Sequence, residues 1–286
     1  MSKKIITNKQ NIILTLLLIF RFLNSKQIQQ LLNHKDHRGI NRWLKTLVEN
    51  EYIERDFKPI YGTLTKPAVF NLSLKGRKQI KDIYTYYLPK YLRKISRDNK
   101  ASKGFRIKQQ IIADWYLMLF PPEKGKSISI VDTLIKGLTT GEMDEKAPLN
   151  TLQFFTSVSY PAFILLEKIK PDAYLRKKTS KGITHGLLFV LDAYVPRVML
   201  QYFLKKIFTT LDEEYWESEE IQSTHMYVLC PNNMVIIYLR RLLKSFLERY
   251  YGDKPLIFYF ATRNQLYKQL QNPTEKIKWR KVSSED

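Results

Sequence analysis

Cysteine is almost missing from this chain. Its 286 residues hold one, Cys230, which excludes a disulfide framework and suits a reducing interior. With Val228 and Leu229 as neighbours, that thiol is expected on a buried strand. Long apolar runs are missing too. The longest, residues 12–20, is broken only by Thr15 and ends at Arg21. It is too short to span a bilayer and begins too far from a small-residue cleavage site to serve as a signal peptide. The expected location is therefore cytoplasmic, with no membrane partner. Glycine is sparse at 10 residues, and the chain contains neither a phosphate-cradling glycine loop nor a nucleophile elbow nor a catalytic cysteine context. Of the four histidines, His34 and His37 sit in a basic turn with no cysteine beside them, which disfavours zinc. His185 and His225 fall on expected strands and read as structural residues. No metal and no cofactor is expected.

Acid is in short supply. Lys and Arg number 48 against 27 Asp and Glu, a formal charge of +21. The excess is concentrated. Residues 1–105 hold 22 cations and 7 acids, net +15, whereas residues 106–286 hold 26 and 20, net +6. A basic first third on a nearly balanced remainder points to a polyanionic partner for the first third. The competing reading is a surface kept soluble by lysine. Hydrophobic residues make up 44% of the chain, enough for a globular protein with more than one domain.

The first third reads as a series of short elements. Residues 11–22 form an apolar helix, with Ile13, Leu16, Leu17 and Phe20 on one side. It stops at Asn24-Ser25, where Asn24 can cap the next helix and Gln27 stands in capping-box position. That helix, residues 25–32, buries Ile28, Leu31 and Leu32. After the polar turn NHKDH comes the stretch RGINRWLKTLVENEYIERD, residues 38–56. Its Ile40, Leu44, Leu47 and Val48 share one helical face, and Arg38, Asn41, Arg42 and Lys45 share the other. Three helices with a tight turn between the last two predict a helix-turn-helix whose final helix enters the major groove. Strands are then expected at residues 52–55 and 68–72, separated by KPIYGTLTKP, and a further helix opens at Ser73. The pattern is that of a winged helix, its wing bringing Lys58, Tyr61 and Lys66 to the phosphate backbone or minor groove. Arg and Asn can read base edges in two-point contacts, and Lys45 suits phosphate or guanine. The expected partner is double-stranded DNA; a winged helix that docks protein is the alternative.

Residues 81–126 are helical in pattern and begin very basic, with tyrosines among lysines and arginines. They could line a nucleic-acid backbone or form a dimerisation helix. For a homodimer, the helix at 107–120 offers Ile111, Trp115, Met118 and Leu119 as a seam. The expected organisation is a winged-helix domain over 1–100, with its boundary near residues 98–103. A helical or irregular connector over 101–150, an α/β domain over 151–272 and a polar tail over 273–286 complete it.

In the last half the pattern is α/β: a helix end or strand at 162–167, a short strand at 171–175, a turn in KKTSKG, and a strongly apolar strand over 183–194. A helix from Arg197 to about Tyr215, a strand at 226–230, a helix at 234–250, a strand at 256–260 and a final helix follow. The expected fold class is thus mixed α+β or α/β, a winged helix followed by a mixed-sheet domain. Pro171-Asp172 before an apolar strand that runs into Asp192 resembles the PD-(D/E)xK nuclease core, in a degenerate form. That core holds a divalent metal with a first-strand Asp and a second-strand acid, and a lysine two residues on helps activate water. Asp172 fits the first acid. If position 192 matches the lysine, Val190 fills the acid's place; if Asp192 is the acid, Tyr194 fills the lysine's place, and Lys205 or Lys206 would have to substitute.

The chain as a whole resembles the replication-relaxation family of plasmids, conjugative elements and phages. The resemblance rests on PAVFNLSLKGRKQI (67–80), KPDAYL (170–175), LLFVLDAYVPRVMLQYFLKKI (187–207) and MYVLC (226–230). Where the family pattern has an acid two residues before the aspartate, this chain has Val190. The resemblance implies a DNA-binding accessory factor or transcriptional regulator in mobile-element replication or transfer, with replication or transfer proteins as possible partners. The expectation is a non-enzymatic, sequence-recognising DNA-binding protein. Its rivals are a metal-dependent nuclease using Asp172, Asp192 and Lys205, and a protein-docking adaptor.

Overall fold

A computed structural model describes residues 6–57, 67–83, 92–93, 95–121, 149–159, 164–212, 221–249 and 256–283. The chain divides into two compact units, residues 1–143 and 144–286.

The first unit is built around α1 (Asn8–Phe20), opened by a capping box between Thr7 and Gln10. Every residue from Ile13 to Phe20 is buried, because the helix is apolar around its whole circumference. A two-residue strand, β1 (Leu23–Asn24), leads to α2 (Ser25–Leu31), whose Asn24 and Gln27 form the capping box expected from the sequence. Helix α3 (His37–Glu49) follows, its first N–H groups taken up by the Asp36 side chain. Strands β2 (Ile53–Asp56) and β3 (Val69–Leu72) pair antiparallel, and β1 adds to the far side of β3, giving the order β1-β3-β2. Sequence reading missed β1, since two residues carry no periodicity. Helix α4 (Leu74–Ile83) closes the group. Its Gly76 runs so close to the chain that a Cβ there would lie 2.0 Å from the Tyr52 carbonyl oxygen.

Helix α5 (Lys103–Leu119) starts four residues before the predicted position. It packs on α1, α2 and β1. Arg21 at the end of α1 is ion-paired with the buried Asp98, and Arg106 of α5 is ion-paired with Asp56 of β2. Gln27 donates to the Gln110 carbonyl at 2.9 Å and to the Asp114 carboxylate at 2.6 Å. Burial nonetheless pushes the Asp114 carboxyl up to about 6. Two members of the expected dimer seam, Ile111 and Trp115, are 0% and 1% exposed inside this core. Those two side chains are thus occupied within their own unit.

The second unit is one six-stranded sheet in sequence order, β4 (Leu152–Thr156), β5 (Ala173–Thr179), β6 (Gly182–Val190), β7 (Ile221–Cys230), β8 (Leu256–Thr262) and β9 (Arg280–Ser283). The pairs β4–β5, β5–β6 and β8–β9 are antiparallel, while β6–β7 and β7–β8 are parallel. Parallel pairing requires crossovers. These are α7 (Arg197–Asp212) and α8 (Asn233–Leu247), with α6 (Ile164–Ile169) before β5 and α9 (Arg263–Gln271) after β8. The apolar runs of β6, β7 and β8 mark central strands covered by helices. Phe208 of α7 stacks on Phe246 of α8 and Phe258 of β8, at 5.3 and 6.1 Å between ring centres. The edge strands β4 and β9 were not foreseen, and residues 280–283, expected in a polar tail, pair with β8. Cys230 is fully buried at the end of β7, and burial pushes its thiol up to about 12.

Candidate nucleic-acid interface

Helix α3 divides its residues as its periodicity requires. Ile40, Leu44 and Leu47 are at most 2% exposed, and Val48 is half-buried beside them. Arg38, Asn41, Arg42 and Lys45 are all exposed on the opposite side. One anchor fixes the start of the helix: Asp36 accepts the backbone N–H groups of Arg38 at 2.8 Å and Gly39 at 2.9 Å. These bonds, the one from Arg38 first, hold the Asp36 carboxyl below its ordinary value. A carboxylate kept charged on the helix N-terminus is favourably placed against the helix dipole.

The exposed face is only loosely tied down. Lys45 reaches Glu49 at 3.7 Å, with both side chains mostly in solvent, a pairing that a phosphate could readily displace. Asn41 Nδ2 lies 3.1 Å from His37 Nδ1, so its amide remains near the open end of the helix. His34, in the turn before α3, shares a hydrogen bond at Nδ1 with the Asp36 backbone and packs edge-on against Trp43, at 5.0 Å between ring centres.

Beside this face runs a groove of about 820 Å³, bounded by Lys26, Asn41, Lys45, Arg55 and Phe70 among others. It separates α2 and α3 from the β2–β3 pair. Lys26 and Arg55 are exposed cations that sequence reading did not single out. Strict alternation would place Arg55 on the same side as the buried Ile53, so its exposure, next to the equally exposed Glu54, was not legible in residues 52–55. Lys58, Tyr61 and Lys66, expected on the wing, lie outside the described residues.

The acidic pair of the second unit stands at a different kind of site. Asp172, just before β5, accepts the Val190 N–H on Oδ2 at 2.7 Å, and its own N–H donates to the Leu188 carbonyl at 2.7 Å. Its carboxylate thereby extends the β5–β6 ladder. Asp192 lies beyond the last residue of β6 and is exposed. Both aspartates act electrostatically on Arg263, the first residue of α9, whose guanidinium burial pulls below its ordinary value while Tyr267, Asp192, Cys230 and Asp172 oppose the shift. Sequence reading missed Arg263 because it is 71 residues beyond Asp192 in the chain. Lys205 is exposed on α7. Among the described residues, no three His, Cys, Asp or Glu side chains gather as they would around a metal ion, and no helix is long and apolar enough to cross a membrane.

His185 and His225 have local partners. The Tyr174 hydroxyl lies 2.8 Å from His185 Nδ1, and Ser223 Oγ lies 3.2 Å from His225 Nε2. Residues 14–193 match the family model described as replication-relaxation. No curated protein and no solved structure matches the chain.

Proposed function

The chain belongs to the replication-relaxation family, and from that premise we propose that its first unit is a winged helix that reads double-stranded DNA with α3. The observation that carries this reading is the exposed row Arg38, Asn41, Arg42 and Lys45, backed by a face of α3 whose Ile40, Leu44 and Leu47 are committed to the core. The element order α1-β1-α2-α3-β2-β3 and the sheet order β1-β3-β2 support it, since a winged helix places its hairpin beside the recognition helix. Arg42 and Arg38 suit guanine edges, Asn41 suits adenine, and Lys45, Lys26 and Arg55 suit phosphates. Lys58, Tyr61 and Lys66 belong to the wing in this reading. The protein is then an accessory factor or regulator of mobile-element replication or transfer.

The test is selection of bound sequences from a random duplex library at physiological salt, followed by Arg42→Ala. That change is expected to weaken binding to the selected sequence by about 1–3 kcal/mol and to broaden the sequences retained. An Arg42→Ala chain with unaltered affinity and sequence choice would remove α3 from the interface.

We further propose that the second unit does not hydrolyse DNA. Asp172 is engaged with the Val190 N–H, Arg263 supplies positive charge to both aspartates, and the position two residues before Asp192 is Val190. A metal-assisted hydrolysis needs two acids free to converge on an ion and a group to orient water. Supercoiled plasmid and single-stranded DNA, incubated with the chain and Mg²⁺ or Mn²⁺, should stay intact. Cleavage that disappears in an Asp172→Ala/Asp192→Ala chain would establish the nuclease instead.

A further inference from the structure

The second unit exposes an unusual surface where α7 and α8 begin. Tyr194 is 94% exposed, Met234 73%, Val198 71%, Tyr202 62% and Met199 54%. Val198, Tyr202 and Lys205 follow one another at helical spacing of four and three, so they share a face of α7. Met234, Ile237, Arg241 and Lys244 do the same on α8, and each is exposed. The two helices pack together, and Arg197 at the start of α7 lies over the Tyr238 ring of α8 at 5.5 Å. The two rows therefore belong to one continuous surface.

Its charge is predominantly of one sign, with Asp192 two residues before Tyr194 and Asp212 at the last position of α7. From Arg197 to Leu211, and along all of α8, there is no acid; the same stretches carry Arg197, Lys205, Lys206, Arg240, Arg241 and Lys244. A second copy of the chain would bring cations against cations across a two-fold axis. Duplex DNA would satisfy the cations but leave the tyrosine rings and methionines against a paired, already stacked helix. A strand with unpaired bases satisfies both halves of the surface, stacking bases on exposed rings and apolar side chains while its phosphates lie along the cations.

We infer that the α7/α8 face of the second unit is a single-stranded nucleic-acid platform, with Tyr194 and Tyr202 as stacking residues and Arg197, Lys205, Arg241 and Lys244 as phosphate contacts. The inference is independent of duplex recognition by α3 and uses none of its residues.

The test uses the full chain with Arg38, Asn41, Arg42 and Lys45 changed to alanine, so that α3 does not contribute. Binding of a short labelled oligothymidylate is followed by fluorescence anisotropy. Tyr194→Ala with Tyr202→Ala is expected to weaken binding about tenfold or more, while Tyr194→Phe with Tyr202→Phe keeps it, since stacking needs the ring and not the hydroxyl. Lys205→Ala with Arg241→Ala should flatten the salt dependence by about two phosphate contacts. All four positions are exposed, and unchanged circular dichroism confirms folding. Failure of the chain to bind the oligonucleotide, an alanine pair that binds as tightly as its parent, or a phenylalanine pair as weak as the alanine pair would each overturn the platform. An unchanged alanine pair would turn this surface over to a protein partner.

Discussion

Acidification is expected to unfold the second unit, with His185 as the group responsible for most of the loss. The ring is 1% exposed and bonded to Tyr174; burial, helped by the charge of Arg176, pulls its pKa from 6.5 down to about 3. Between those two values the unfolded chain carries a proton that the folded chain does not. The stability contributed by the neutral ring is therefore complete above the unfolded value and is lost as the pH falls toward the folded one. The slope is about 1.4 kcal/mol per pH unit, and the window amounts to roughly 5 kcal/mol. Burial shifts His225 in the same direction and adds to the slope. Asp114 in the first unit has the opposite sign. Its raised pKa means that its contribution is complete below the usual carboxylate value and is lost as the pH rises through about 6. Urea unfolding read by hydrogen exchange in β5 and β6, and separately in α5, resolves the two units over this range. A His185→Gln chain should lose about one proton's worth of slope in β5 and β6. If its slope matches the parent's, His185 is not the controlling group.

Gly76→Ala is expected to destabilise the first unit by about 3 kcal/mol, although the same change in an open helix would stabilise it by about 1 kcal/mol. The new methyl would sit 2.0 Å from the Tyr52 carbonyl oxygen and 3.1 Å from its carbonyl carbon. Both atoms are backbone, so no side chain can rotate away. Either α4 or the turn before β2 must retreat, and the Ser73 N–H bond to Tyr52 at 3.2 Å goes with it. Denaturant unfolding monitored by exchange in α1 and β3 gives the number. A chain as stable as the parent would mean that the α4–Tyr52 approach is softer than its geometry implies.

Local patterning made much of the first unit legible. The capping box at Asn24 and Gln27 and the two-faced character of α3 depend on residues within one or two helical turns of one another. Their physical causes, an orphan N–H and an apolar stripe, lie wholly inside the segment. The same holds for the apolar central strands β6, β7 and β8, of which β7 and β8 run longer than expected while β6 ends at Val190, short of the expected residue 194. β1, β4 and β9 were not legible, because short or edge strands owe their existence to the neighbour they pair with rather than to their own sequence.

The candidate sites divide along the same line. Arg38, Asn41, Arg42 and Lys45 come to one surface through helical spacing, and that was fixed by the order of residues in α3. Only the tertiary structure added Lys26 and Arg55 to that surface, since α2 and β2 meet α3 through packing. Likewise, Asp172 and Asp192 were visible as a suggestive pair, but sequence could not supply Arg263, which reaches them because β8 ends beside β7 and β7 beside β6. The α7/α8 surface is the clearest case. Tyr202 and Ile237 look like core residues in a one-dimensional pattern, as apolar side chains on amphipathic helices usually are. Which side of a helix is covered depends on what packs against it, and that is a property of the whole sheet and its crossovers, not of the helix.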